Sequence, residues 1–119
     1  MGLTYVQLTV ANPKEPGRRV RRRFLVDSGV VYTVVPRDVL VPLGIEPVRK
    51  RTFTLANGET VERDVGNALF FFQGEEAASP VIFGEPGDSL LLGIVTLEGL
   101  GYILDPFRRE LRPLPMILG

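Results

Sequence analysis

The sequence predicts an all-β fold, a barrel or sandwich of short strands joined by frequent turns. Three observations carry the prediction. Apolar residues recur at alternate positions over runs of about four to eight residues, the period of a half-buried strand. The 119 residues include 13 Gly and 10 Pro, placed so that few regular elements can run long. Only two short stretches, RDVL (37–40) and IVTLEGL (94–100), carry helix signals.

The elements follow in order. Leu3 to Val10 alternates as a strand, and ANPKEPG (11–17) is rich in turn formers and reads as a loop. Arg19 to Val26 is a second strand with Val20, Phe24 and Val26 on one face, stopped by Asp27-Ser28-Gly29. TVVP (33–36) is a short strand, and Pro36 before RDVL suits the first turn of a helix that Pro42 ends. In TFTLANGETVERDVG (52–66), Asn57-Gly58 lies between two alternating runs. That dipeptide tolerates positive φ at both central positions of a type I′ turn, so a β-hairpin is expected. NALFFF (67–72) and SPVIFG (79–84) read as further strands separated by an acidic turn, QGEEAA. GEPGD (84–88) is a loop, and SLLLG (89–93) is a buried strand ending on glycine. The helix over 94–101 is kept short by Gly99 and Gly101. YILDP (102–106) is a strand closed by an Asp-Pro turn; Asp105, like Asp88, has turn duty. LRPLPMILG (111–119) is an apolar tail interrupted by Pro113 and Pro115.

A length of 119 residues matches a single domain, 1–119, with one core. The apolar fraction of 45% and charged fraction of 24% are those of an ordinary soluble protein. No apolar run approaches the ~20 residues that span a bilayer. The start, MGLTYVQLTV, lacks the basic and apolar regions of a signal peptide, so no membrane association and a cytoplasmic setting are expected. Net charge is zero but uneven, because RRVRRRF (18–24) makes the first half basic. A solvated strand face explains that run better than nucleic-acid binding, since the chain is neutral overall and has no tryptophan. With no histidine and no cysteine, neither a Ser-His-Asp triad nor a Cys nucleophile can be built. Zinc sites made from those ligands are excluded too. Hydrolytic chemistry would fall on carboxylates.

Two segments echo each other. FLVDSG (24–29) and SLLLG (89–93) are apolar strands ending on glycine, each followed by a short helical segment ending in Leu-Gly. This suggests two halves related by a pseudo-twofold, only the first of which carries the acid.

With Val26-Asp27-Ser28-Gly29, then the Asn57-Gly58 hairpin, then Leu91-Leu92-Gly93 before a short helix, the chain resembles the retropepsin-like (clan AA) aspartic proteases. It resembles their single-lobe class, which works as a homodimer. The resemblance runs from about residue 3 to the end. It implies a closed barrel or sandwich with a flap hairpin and one or two short helices, and an endopeptidase that needs neither cofactor nor metal. Asp27 would be the catalytic acid and base. The Ser28 hydroxyl would bond across the dimer axis, and Gly29 would let the backbone approach the second carboxylate. Leu55, Ala56, Asn57, Gly58 and Glu59 would form the flap tip, and Val30, Leu92 and Gly93 would border the substrate. Gly93 would let its strand pass close to the catalytic loop. The substrate would be an extended peptide, and the chain termini, Leu3–Val10 and Leu111–Leu118, would build the dimer interface. Burial of PMIL is expected there.

One copy of Asp-Ser-Gly supplies one carboxylate, so two chains would be needed for a pair that shares a proton. The family often has alanine where Val30 stands, and many viral members have an acid and an arginine where Val31 and Ile94 stand. A catalytically weak or silent dimerisation or peptide-binding module on the same fold is the alternative.

Overall fold

The computed structural model describes residues 3–118. Nine strands and two short helices follow one another as β1 (Tyr5–Ala11), β2 (Arg19–Val26), β3 (Thr33–Pro36), α1 (Arg37–Leu40), β4 (Arg49–Thr54), β5 (Thr60–Phe72), β6 (Glu75–Gly84), β7 (Leu91–Leu92), α2 (Ile94–Gly99), β8 (Tyr102–Asp105) and β9 (Glu110–Pro113). Seven strands form one sheet in the order β1-β2-β7-β3-β6-β5-β4, and β1 also pairs with β5. The last pairing closes a six-stranded ring and leaves β4 outside it, carried on β5. The chain is therefore all-β and barrel-like, with a projecting hairpin and two short helices, as expected.

Closure has a simple cause. Residues of β1 alternate in their backbone direction, so the strand pairs with β2 over its full length and with β5 at Thr9, Val10 and Ala11. Leu8 and Val10 of β1, Phe24 and Val26 of β2, and Phe70 of β5 all point into the ring and are buried. Phe24 and Phe70 meet edge-to-face, with centroids 6.3 Å apart. Burying each such side chain stabilises the fold by about 1.5–3 kcal/mol relative to leaving it in water. Tyr5–Ala11 thus lies inside the sheet, so of Leu3–Val10 only Leu3 and Thr4 are outside the strand.

Several turns differ from the sequence reading. The hairpin tip between β4 and β5 is not a two-residue type I′ loop. Gly58 alone has positive φ, +89°, and Asn57 does not. Gly58 N–H donates to the Leu55 carbonyl (2.9 Å) and Leu55 N–H to that of Glu59 (2.7 Å). This is a three-residue loop with glycine in the left-handed position and a bulge. Asn57 prefers to accept from Glu59 N–H through its side chain at 2.9 Å, which holds its backbone elsewhere. The two-residue loop with both φ positive is at Gln73-Gly74 (+48° and +81°), joining Phe72 to Glu75. So the acidic residues of QGEEAA belong to β6, and β5 runs unbroken through TVERDVG and NALFFF. The strand in SLLLG is only Leu91–Leu92. Pro42 does not end the helical segment but sits in the first turn of a 3-10 extension, Val41–Leu43, which Gly44 closes at φ +80°.

The tail is uncovered within a single copy. Met116, Ile117 and Leu118 are 71%, 83% and 99% exposed. Residues 1, 2 and 119, the ends of the predicted first strand's lead and of the apolar tail, lie outside the described residues. No described helix is long and apolar enough to cross a membrane.

An ion-pair network braces the projecting hairpin. Arg37, at the start of α1, reaches Asp64 of β5 at 2.6 Å and Glu85 at 3.0 Å, and Lys50 of β4 reaches the other Asp64 oxygen at 3.0 Å. The Arg37 guanidinium, and then the Lys50 ammonium, hold the Asp64 carboxyl below the usual carboxylate range. A depressed carboxylate stabilises the fold fully above its unfolded value of about 3.9 and loses that contribution as pH falls through the lower folded value. Asp64→Asn is therefore expected to lower Tm by a few degrees at pH 6. The gap from the unmodified chain should shrink as pH falls below the unfolded value and through the lower folded one. Thermal melts across pH check this; a gap that widened on acidification would contradict the sign.

Candidate active site

Asp27 directly follows β2, and its surroundings explain why a buried strand can lead into an acid. Its N–H donates to the Leu92 carbonyl at 3.1 Å, continuing the parallel pairing of Leu25 with Leu91 and Val26 with Leu92. The next pair in that register is Asp27 and Gly93. The two echoed segments are therefore neighbours in space, and glycine occupies in the second the place the acid holds in the first.

The loop from Asp27 to Tyr32 is fixed from several sides. Gly29 N–H donates to Asp27 Oδ1 at 2.9 Å, and Val30 N–H to the Asp27 carbonyl at 3.2 Å. The first N–H groups of α2, from Ile94 and Val95, donate to the carbonyls of Val30 (2.9 Å) and Val31 (3.0 Å). Helix ends leave such donors unpaired, so here the Asp27 loop itself caps the helix. Gly93 packs so closely on the loop that a Cβ there would lie 2.6 Å from the Tyr32 carbonyl carbon.

Behind the loop is a buried hydroxyl cluster. Thr33 Oγ1 accepts from Gly93 N–H at 3.0 Å and donates to Thr96 Oγ1 at 2.6 Å, and Ser79 Oγ lies 2.7 Å from Thr96 Oγ1. Each hydroxyl is satisfied, so the cluster links β3, β6 and α2 without an unpaired buried polar atom.

Asp27 is half-buried, and its Oδ2 accepts no hydrogen bond among the described residues. Ser28 is exposed, and its hydroxyl likewise has no described partner. Asp105 does turn duty, accepting from the N–H groups of Phe107 (3.0 Å) and Arg108 (3.1 Å), which with Arg108 first pull its carboxyl below the usual range. Asp88 accepts from Glu85 N–H at 2.9 Å. Neither acid is hydrogen-bonded to the Asp27 loop among the described residues.

A groove of about 370 Å³ opens beside the loop. Gly29, Val30 and Val31 border it on one side, and Phe53, Leu55 and Val61 of the hairpin on the other. Tyr32 meets Phe53 edge-to-face, with centroids 6.4 Å apart, so the hairpin rests on the loop through an aromatic pair. Arg63 and Asp88, also at its border, are paired to each other at 3.3 Å, and the rest of the wall is largely apolar.

Of the residues singled out from sequence, Asp27, Ser28, Gly29, Val30 and Gly93 come together in the loop, and Leu55 lines the groove. Ala56, Asn57, Gly58 and Glu59 form the exposed tip without lining it. Leu92 does not border the groove. Its side chain is 1% exposed in the core, and it serves through its carbonyl, while Leu91 faces the groove. The alternation of a strand sends neighbours to opposite faces, which is why the two exchange roles. Tyr32, Phe53, Val61, Ile82 and Arg63 were missed. Phe53 and Val61 are register partners two residues back from either side of the tip, and that spacing alone could have placed them on the inner face.

Neither a protein-family model nor a curated protein matches the chain. Among solved structures, the chain is similar to the solution structure of simian foamy virus (mac) protease, at 23% identity and a TM-score of 0.49. The match covers 74% of this chain and 87% of that one.

Proposed function

We propose that two copies of this chain form an aspartic endopeptidase, with one Asp27 from each. The observation that carries the reading is the placement of the single Asp-Ser-Gly acid. It sits in a loop pinned by β7 and α2, beside an apolar groove with a hairpin along its other wall. One oxygen is engaged by Gly29 N–H and the other accepts no hydrogen bond among the described residues.

In a twofold dimer the two carboxylates share one proton, since both cannot ionise at close range. The ionised member takes a proton from water, whose oxygen attacks the scissile carbonyl carbon. The protonated member gives its proton to the carbonyl oxygen. Collapse of the tetrahedral intermediate returns a proton to the leaving amine, as in aspartic proteases generally. The groove would take an extended peptide, and closure of the Leu55–Glu59 tip would exclude water. The exposed Leu3, Phe107, Met116, Ile117 and Leu118 supply apolar surface of the kind a second copy covers.

One observation favours the silent-module reading. The Asp27–Gly29 bond is a local turn bond that any Asp-Ser-Gly loop could use. Peptide-library cleavage between pH 3 and 8, measured at several protein concentrations, separates the readings. The protease reading expects an acidic optimum, inhibition by hydroxyl-bearing peptide mimics and specific activity that rises as the dimer forms. Peptide binding with no turnover at any of these pH values would favour the silent module. So would Asp27 carboxylates more than ~7 Å apart in the dimer, where proton sharing fails.

A further inference from the structure

Strand β2 exposes Arg19, Arg21, Arg22 and Arg23, and the pairing shows which way its backbone points. Val26 N–H donates to the Thr4 carbonyl at 2.8 Å, so the even-numbered residues of β2 turn their backbone groups toward β1. The odd-numbered residues turn the other way, where Leu25 N–H meets the Leu90 carbonyl at 3.0 Å. Strand β7 accompanies β2 only at Leu25 and Val26. Past that point, Arg19, Arg21 and Arg23 present N–H and C=O to an edge on which no strand is paired among the described residues. The Arg21 carbonyl finds only the guanidinium of its neighbour Arg22, at 2.9 Å.

The residues that offer these backbone groups also carry the charge. They recur every second position, a spacing of about 6.6 Å along the strand. The guanidinium of Arg19 lies over Phe71 at 4.7 Å and that of Arg23 over Tyr5 at 3.9 Å. None of the four arginines forms an ion pair with a carboxylate among the described residues.

Charges on an open edge commonly serve only to prevent pairing. Against a second copy they do so, because antiparallel self-pairing would set arginine opposite arginine. Against an acidic strand the same charges attract. We propose that this edge docks an extended acidic peptide, which adds to the sheet with Asp or Glu at alternate positions opposite Arg19, Arg21 and Arg23. The proposal does not depend on Asp27 being catalytic. Single-stranded nucleic acid is the weaker occupant, because it would use the charges and leave the backbone edge unpaired.

The test uses a labelled octapeptide alternating Glu with Thr, titrated by fluorescence anisotropy, with amide exchange followed by NMR. Binding is expected to weaken with salt. The amides of Arg19, Arg21 and Arg23 should gain protection while those of Val20 and Arg22, already turned to β1, do not. The same peptide N-methylated at its Glu amides keeps its charge but loses the donors, and should bind at least about tenfold more weakly. Arg21→Glu with Arg23→Glu should remove binding, and Arg21→Gln with Arg23→Gln serves if the reversal perturbs folding. Equal binding by the N-methylated peptide, unchanged protection at the odd-numbered amides, tighter binding of octathymidylate, or no binding would each overturn the proposal.

Discussion

Asp27→Asn is expected to leave the fold intact and reduce kcat/KM for peptide cleavage by about 10³-fold or more, the scale of lost general acid–base catalysis. The two halves of that expectation rest on different atoms. Asparagine keeps a side-chain carbonyl oxygen where Asp27 Oδ1 accepts from Gly29 N–H at 2.9 Å, so the turn survives. Leu92 is buried in the core and the Asp27 N–H bond to its carbonyl is a backbone bond, so the strand end survives as well. What is lost is the capacity to take a proton from water and return it. Melting should therefore change little while turnover disappears. Mixing gives a sharper readout. If each site needs Asp27 from both chains, exchanging subunits with an equal amount of the Asn variant should leave about one quarter of the dimers active. At the same total protein concentration, activity that fell only to one half of that of the unmodified protein would mean that each chain works alone. Turnover unaffected by the substitution would remove Asp27 from the chemistry.

Much of this site was legible because it depends on local chain chemistry. An apolar run that stops at Asp-Ser-Gly can be read as a strand feeding a turn. A second apolar run stopping at Gly93 can be read the same way, but that Leu25–Val26 and Leu91–Leu92 pair in parallel comes only from the structure. Arg19–Val26 and Thr33–Pro36 came out with their observed bounds for the same reason. What was not legible depends on distance in sequence. Nothing near Thr33 says that its hydroxyl will meet Thr96 and a backbone N–H from Gly93, more than fifty residues away. The tip was misjudged because Asn57-Gly58 suits two loop types. The side-chain bond from Asn57 to Glu59 N–H accompanies the longer one. Leu91 and Leu92 were both read as apolar; only the register with β2 says which faces the groove. The tail was read as part of a dimer interface, and within one copy Met116 to Leu118 are exposed.

Gly93→Ala is expected to be the most damaging glycine-to-alanine change among the described residues. The reason is not backbone torsion, since Gly93 has φ −89° and ψ 171°, which any residue adopts. It is space. A Cβ would stand 2.6 Å from the Tyr32 carbonyl carbon, 2.7 Å from the Val31 oxygen and 2.8 Å from the Tyr32 oxygen. All three are backbone atoms, so no side chain can turn aside to make room. Relief requires β7 and α2 to separate from the Asp27 loop. That motion would stretch the bonds from Ile94 and Val95 N–H to Val30 and Val31, and the bond from Gly93 N–H to Thr33. Overpacking of this kind costs about 3 kcal/mol. Because the strained bonds hold the loop that carries Asp27, catalytic efficiency should fall in the protein that remains folded. Gly99→Ala is the matched control. Its added Cβ would meet only the Ala77 Cβ, at 3.2 Å, and alanine in place of a helical glycine gains up to about 1 kcal/mol. Urea unfolding of the two variants should therefore give opposite results: a large fall in midpoint for Gly93→Ala and little change for Gly99→Ala. Equal midpoints would mean that the contact between Gly93 and the loop is looser than the 2.6 Å approach requires.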